Sequence, residues 1–236
     1  MIAGLQKMTL LDYPGKVACT VFLQGCNFRC PFCHNSGLLG ASEQPSIAQE
    51  DLFAFLRKRQ GILDGVCITG GEPTLHKDLP ELLQKIKDMG FLVKLDTNGY
   101  RPDVLKSLVG QGLVDYVAMD IKNCPERYAQ TAGLSHLELA RIEESMVFLM
   151  QGELDYEFRT TVVQQFHTAK EMEAIGQWFH KLSPEQKVKK YFLQPYTDRE
   201  SVLCGGLSAP EKADLLAFQD ILSSCVHSIG IRGVDL

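Results

Sequence analysis

Gln24 to Asn35 reads Q-G-C-N-F-R-C-P-F-C-H-N, and it places Cys26, Cys30 and Cys33 in a C-x3-C-x2-C spacing. Three soft thiolates so close together suit an iron-sulfur cluster or zinc. A structural zinc site normally has four protein ligands, and the only local fourth candidate is His34, adjacent to Cys33 and awkward for a tetrahedron. A cluster fits better. With three irons held by the chain and one left open, such a centre is built to take a small chelating ligand, which is a catalytic arrangement. The residues between the thiols, Asn27, Arg29 and Pro31 among them, are loop formers and not core.

Composition narrows the surroundings. The 236 residues are 45% hydrophobic, an ordinary globular fraction, and carry a formal charge of −5 with no basic run. This speaks against a generic nucleic-acid surface. Cys19, Cys67, Cys124, Cys204 and Cys225 are scattered singly, with no paired framework, so a reducing, cytoplasmic compartment is expected. Met1 to Leu11 resembles neither a leader nor an anchor, and no stretch reaches the roughly 18 to 20 apolar residues that span a bilayer.

Outward from the cysteine loop, the chain alternates. Strands are predicted at Val17–Leu23, Val66–Thr69, Phe91–Leu95, Val114–Ile121, Tyr156–Val163 and Lys190–Leu193. Helices are predicted from Ser46 to Arg59, Asp78 to Met89, Pro102 to Val109, Leu137 to Met150, Ala169 to Leu182 and Ser208 to Ser223. Six alternations with Gly and Pro at the boundaries predict an α/β fold on a parallel sheet, and without a repeat or linker a single domain over 1–236 is expected. Each polar motif falls where a strand ends: the cysteines, then Gly70-Gly71-Glu72-Pro73, then Asp96-Thr97-Asn98-Gly99, then Asp120-Ile121-Lys122. In a parallel sheet or barrel those ends share the face that carries the site.

Taken singly, each motif has two readings. Gly70 and Gly71 permit close backbone approach to a ligand, with Glu72 adding a carboxylate, or they make a tight turn. Asp120 and Lys122 leave one face of a strand and either hold a zwitterionic ligand or pair with each other. Asp96, Thr97 and Asn98 bind hydroxyls or a cation, or cap a turn. Arg159, Thr160, Thr161, Gln194 and Tyr196 line a channel or are simply solvated, with solvation the better expectation. Cys67 reads as a small buried hydrophobe, and Cys124, just past Lys122, as the spare thiol nearest the site.

The combination is specific. C-x3-C-x2-C with the aromatic Phe32 between its last two thiols, followed by G-G-E-P, resembles the radical S-adenosylmethionine superfamily. Tyr13-Pro14-Gly15, the cysteine stretch, D-T-N-G and D-I-K together resemble the glycyl-radical-enzyme activating enzymes, most closely the anaerobic ribonucleoside-triphosphate reductase activating proteins. The resemblance implies a partial (β/α)6 barrel with its site at the C-terminal strand ends, one 4Fe-4S cluster on Cys26, Cys30 and Cys33, and S-adenosylmethionine on the open iron. It implies that Gly70, Gly71 and Glu72 meet the methionine amino group, Lys122 its carboxylate, and Asp120 the nucleoside or methionine end. Phe32 then lies beside the cofactor, and Asp96 and Thr97 stand where relatives hold ribose or a monovalent cation. The implied partners are a glycyl-radical enzyme and a small electron donor such as flavodoxin or ferredoxin, with neither nucleic acid nor membrane. Formate-lyase activators carry a late P-Y-H where this chain has Pro195-Tyr196-Thr197, and no ferredoxin-like insert stands between Cys33 and Gly70. Those differences favour the reductase activator over a pyruvate formate-lyase activator. A 7-carboxy-7-deazaguanine synthase is the alternative within the same chemistry, and a non-catalytic zinc or iron-sulfur scaffold is the alternative outside it.

Overall fold

The computed structural model describes residues 2–40 and 46–233. Its segments group into two compact units that alternate along the chain. The first comprises 1–27, 37–97 and 101–118, and the second 28–36, 98–100 and 119–236.

In the first unit, β1 (Ile2–Thr9) runs antiparallel to β2 (Ala18–Leu23). Then come α1 (Gln49–Arg57), β3 (Gly65–Gly70), α2 (Leu79–Asp88), β4 (Leu92–Thr97) and α3 (Pro102–Gly110). Strands β2, β3 and β4 are parallel, in the register Thr20 to Cys67 to Lys94. Their apolar members Val21, Val66, Ile68, Val93 and Leu95 are fully buried, as expected for strands covered by helices. The helices supply the cover through Leu52 and Leu56 of α1 and Leu82, Leu83 and Ile86 of α2, spaced for one face. At the base of β3, Gly65 allows Tyr13 to approach: a Cβ there would stand 3.0 Å from its ring and 2.9 Å from the Leu92 carbonyl oxygen.

Strand β5 (Tyr116–Asp120) begins in the first unit and ends in the second. The second unit continues with α4 (Tyr128–Thr131), α5 (Leu139–Gln151), β6 (Asp155–Val162), α6 (Ala169–Leu182), β7 (Val188–Pro195), α7 (Lys212–Leu222) and β8 (Val226–Ile231). Strands β6, β7 and β8 are parallel. Helix α6 matches its predicted bounds because Thr168 and Glu171 form a reciprocal capping box at its start. Its Phe179 packs between the rings of Phe158 and Tyr191, at 5.7 and 5.4 Å.

In sheet order the strands follow their chain order from β1 to β8. The result is a mostly parallel, eight-stranded α/β sheet that does not close, in agreement with the expected partial barrel. Two strands exceed the six predicted, and both are edges. Strand β1 has three exposed residues in succession, and β8 exposes His227 and Ser228, so neither carries the continuous apolar run of a buried parallel strand. The first helix starts at Gln49 and not at Ser46, since Ile47 is bridged to Ile2. The last starts at Lys212, four residues later than predicted from Ser208. Among the described residues no helix is long and apolar enough to cross a membrane.

Candidate functional site

In the first unit, the two motifs at the ends of β2 and β3 are one construction. The Gly71 amide donates to the Leu23 carbonyl at 2.8 Å, and the Glu72 amide to the Gly25 carbonyl at 2.7 Å. The Gly25 amide in turn donates to Leu38 at 2.6 Å. This closeness requires glycine. A Cβ on Gly71 would lie 1.9 Å from the Gly25 oxygen, and one on Gly70, whose φ is +116°, would lie 2.4 Å from the Leu23 oxygen. Gly70-Gly71 therefore pins the backbone that leads into Cys26. Gly71→Ala is expected to lower stability by about 3 kcal/mol in urea unfolding, because backbone and not a flexible side chain must give way. A loss below about 0.5 kcal/mol would contradict the packing just described.

Glu72 is fully buried, and one of its carboxylate oxygens accepts from three donors. These are the Thr74 amide at 3.1 Å, the Thr74 hydroxyl at 2.5 Å and the Thr97 hydroxyl at 2.8 Å. The carboxylate thus caps the 3-10 turn Pro73–Leu75 and ties it to the end of β4. Thr97 is itself 3% exposed. Asp96, beside it, pairs with the Lys94 ammonium. His76, which no motif marks, meets the Gln24 carbonyl through Nε2 at 2.7 Å and so holds the start of the cysteine loop.

In the second unit, Cys30 and Cys33 belong to one turn, closed by the Cys33 amide donating to the Cys30 carbonyl at 3.1 Å. The Arg29 amide donates to Ala132 at 2.9 Å, and Gly133 lies so close that a Cβ would stand 2.0 Å from the Arg29 oxygen. Phe32 is buried, with its ring 6.1 Å from that of Phe166. The segment after β7 is also hydrogen-bonded to this turn. His34 Nε2 meets the Thr197 carbonyl at 2.7 Å, the Ser201 hydroxyl donates to the His34 carbonyl at 2.8 Å, and the Cys204 amide donates to the Pro31 carbonyl at 3.0 Å. The His34 ring stacks on Tyr196 at 5.7 Å. Tyr196 is thus 3% exposed, against the sequence expectation of a solvated strand end.

Strand β5 ends at Asp120, so Lys122 stands just past it and not on its face as expected; its Nζ nonetheless lies 2.9 Å from Asp120 Oδ2, the mutual pairing that was the second reading, while Met119 and Ile121 are fully buried. Arg159, also expected to be solvated, donates to Asp120 Oδ1 at 3.1 Å through Nε and lies 3.0 Å away through Nη2. Burial alone would raise the Asp120 carboxyl, but Lys122 and Arg159 outweigh it and hold it at about 2. Burial would likewise lower the Lys122 ammonium, and here Asp120 followed by the Cys30 thiol overcomes it and drives it upward. Both groups stay charged across the neutral range.

What fixes Lys122 was not legible. His167, 2% exposed, reaches the Lys122 carbonyl through Nε2 at 2.9 Å while its Nδ1 accepts the Val163 amide at 3.1 Å. Asn123, fully buried, donates to Phe166 and Thr131, and the Tyr128 hydroxyl donates to the Asp120 carbonyl at 3.2 Å. Burial, only partly offset by the Lys122 and Val163 backbone, holds the His167 imidazole below its ordinary 6.5. The unfolded chain therefore takes up a proton before the folded one, and stability falls as pH drops from about 6.5 toward the depressed native value. Unfolding titrations at about pH 7.5 and 5.5 should show this loss, and His167→Gln should flatten it. Cys124 is buried, with its thiol raised by burial and its amide on the Asn123 side chain, which is the environment of an inert thiol. Cys67 and Cys19 are fully buried in strands, as read for Cys67.

Three thiols on one short loop, two of them in a hydrogen-bonded turn, match in kind and number the donors that a 4Fe-4S cluster with one open iron takes. The fit rests on this chemistry, since among the described residues no three His, Cys, Asp or Glu side chains are gathered as a ready metal site.

A family model described as the radical SAM superfamily matches residues 20–146. The chain is 37% identical over 134 residues to the putative glycyl-radical enzyme activating enzyme MJ1227 of Methanocaldococcus jannaschii, covering 55% of this chain and 53% of that one. It is 44% identical over 87 residues to a probable GTP 3′,8-cyclase of Sulfolobus acidocaldarius, covering 36% and 26%. The chain thus spans about half the length, or less, of the curated relatives it matches. In fold it is similar to QueE from Escherichia coli, with a TM-score of 0.60 and 18% identity over 98% of this chain and 92% of that one.

Proposed function

Because the chain belongs to the radical SAM superfamily, we propose that it is an activating enzyme that places a glycyl radical on a partner, anaerobic ribonucleoside-triphosphate reductase being the partner its motifs fit best. The superfamily implies a 4Fe-4S cluster and S-adenosylmethionine. Bound together, they supply reductive cleavage of the sulfonium and a carbon radical able to take hydrogen from a backbone glycine. The observation that carries the reading is the hydrogen bonding of the Gly71 and Glu72 amides to Leu23 and Gly25, which brings G-G-E-P against the backbone just ahead of Cys26 and so supports a shared role for the two motifs.

In this reading Cys26, Cys30 and Cys33 hold three irons as thiolates. Gly70, Gly71 and Glu72 offer acceptors to the methionine ammonium, with the Glu72 side chain acting as the turn's internal cap. Lys122 pairs with the methionine carboxylate, and Asp120, kept ionised by Arg159, aims the ammonium. Phe32 would supply an apolar wall, and Asp96 and Thr97 would meet the ribose. Such a wall matters because a primary carbon radical takes hydrogen from any donor it can reach. The chain acts in the cytoplasm as a single domain and takes its electron from a flavodoxin or ferredoxin.

The test is anaerobic reconstitution of the full chain, followed by incubation with S-adenosylmethionine, a chemical reductant and the reductase. A glycyl radical in the electron paramagnetic resonance spectrum, formed together with 5′-deoxyadenosine, is expected. Cleavage that proceeds without a protein radical but consumes GTP would replace this reading with a cyclase.

A further inference from the structure

Strand β4 alternates Val93 and Leu95, both fully buried, with Lys94 and Asp96 on the opposite face. Lys94 is 1% exposed, and it is the one lysine or arginine among the buried polar residues described. A lysine in such a place is costly unless its charge is matched, and its ammonium is paired with the Asp96 carboxylate, itself 16% exposed. The sheet register sets Lys94 beside Cys67 and Cys67 beside Thr20, so the three form one row across β2, β3 and β4. Thr20 donates to Asp12 at 2.5 Å, which brings a second carboxylate to the same face. The Cys67 thiol senses the charges around it: burial raises it most, Lys94 lowers it, and Asp96 and Asp12 raise it, which together leave it at about 12. The row therefore ends, inside the first unit, in a buried ammonium paired with the Asp96 carboxylate.

A carboxylate at a strand end that takes part in ligand binding needs a counter-charge, drawn either from solution or from the fold. We infer that Lys94 is the built-in counter-ion of Asp96, so that this chain fixes the Asp96 carboxylate without recruiting a monovalent cation. The inference rests on the placement of Asp96 toward the cofactor proposed above, and it replaces the cation expected there from the resemblance. Lys94 is a positioning residue, which acts through Asp96.

A structural lysine and a counter-ion differ in what salt does to their loss. The full chain is unfolded thermally in choline chloride and in KCl at equal ionic strength, as wild type, Lys94→Met and the double variant Lys94→Met/Asp96→Asn. Wild type should differ by less than about 1 °C between the salts. Lys94→Met should melt about 5 °C lower in choline chloride and recover at least half of that as KCl replaces it, because a cation that binds only the folded state stabilises it. The double variant, with no charge left to match, should show no response to K⁺. If Lys94→Met folds in neither salt, Lys94→Gln is carried through the same titration and decides. A wild type stabilised by K⁺ as strongly as the variant, or a variant indifferent to K⁺, overturns the inference. Binding of S-adenosylmethionine to the reconstituted wild type, measured in both salts, is expected to agree within about twofold. Absence of that binding in either salt would defeat the functional reading, and the melting series would still decide the role of Lys94.

Discussion

Replacing Cys26, Cys30 or Cys33 by alanine is expected to remove the cluster altogether. With one of three thiolates gone, two irons lack a protein ligand, and the remaining pair has the geometry of no stable centre. Iron and sulfide per chain should fall to near background after anaerobic reconstitution, and S-adenosylmethionine cleavage should vanish with them. The other thiols are the internal control. Cys19 and Cys67 are fully buried in strands, where alanine leaves a small void, and Cys204 is exposed. Alanine at these three positions should cost stability at most, with iron content unchanged. A Cys30→Ala protein that still holds about four irons and cleaves S-adenosylmethionine would remove the basis of the ligand assignment.

Lys122→Ala should weaken S-adenosylmethionine binding by about 2 to 5 kcal/mol with iron content intact, since it deprives a carboxylate of its partner in a partly buried setting. An ion pair serving only the fold would be worth roughly 0 to 1 kcal/mol. The surroundings sharpen the comparison, because Asp120 keeps Arg159 when Lys122 is removed and is not left without a counter-charge. The loss read by calorimetric titration then reports the ligand and not a collapsed pair. An affinity within about threefold of wild type would sink the assignment. Lys122→Arg should recover only part of the binding, as a planar guanidinium does not replace a compact ammonium.

What the sequence displayed, and what it hid, divides along physical lines. Strands β2 to β7 and the helices between them, apart from the four-residue α4, were legible because buried parallel strands carry runs such as Val66 to Ile68, set off by Gly and Pro. The two edge strands were not, since Gln6-Lys7-Met8 in β1 and His227-Ser228 in β8 face solvent and break the run. At the site, residues that announce themselves by spacing were readable: the three cysteines, the paired glycines, Asp120 and Lys122. Residues that act through the backbone were silent. His167 lies forty-five positions from the Lys122 carbonyl it holds, and no local pattern marks it. Lys94 was hidden for another reason, because an ammonium in the middle of a buried strand contradicts the usual reading of lysine as surface. Arg159 and Tyr196 are polar residues at strand ends, where solvation is the ordinary expectation, and long-range partners, Asp120 and His34, draw them in.

The approach of Gly71 to the Gly25 carbonyl also bears on inheritance. Every amino-acid replacement that a single base change can make from a glycine codon brings in a Cβ, and here a Cβ would stand 1.9 Å from a backbone oxygen. Drift at this codon has no mild first step. A lineage that altered residue 71 would have to reroute the loop that presents Cys26 in the same event, so the position is closed to gradual change.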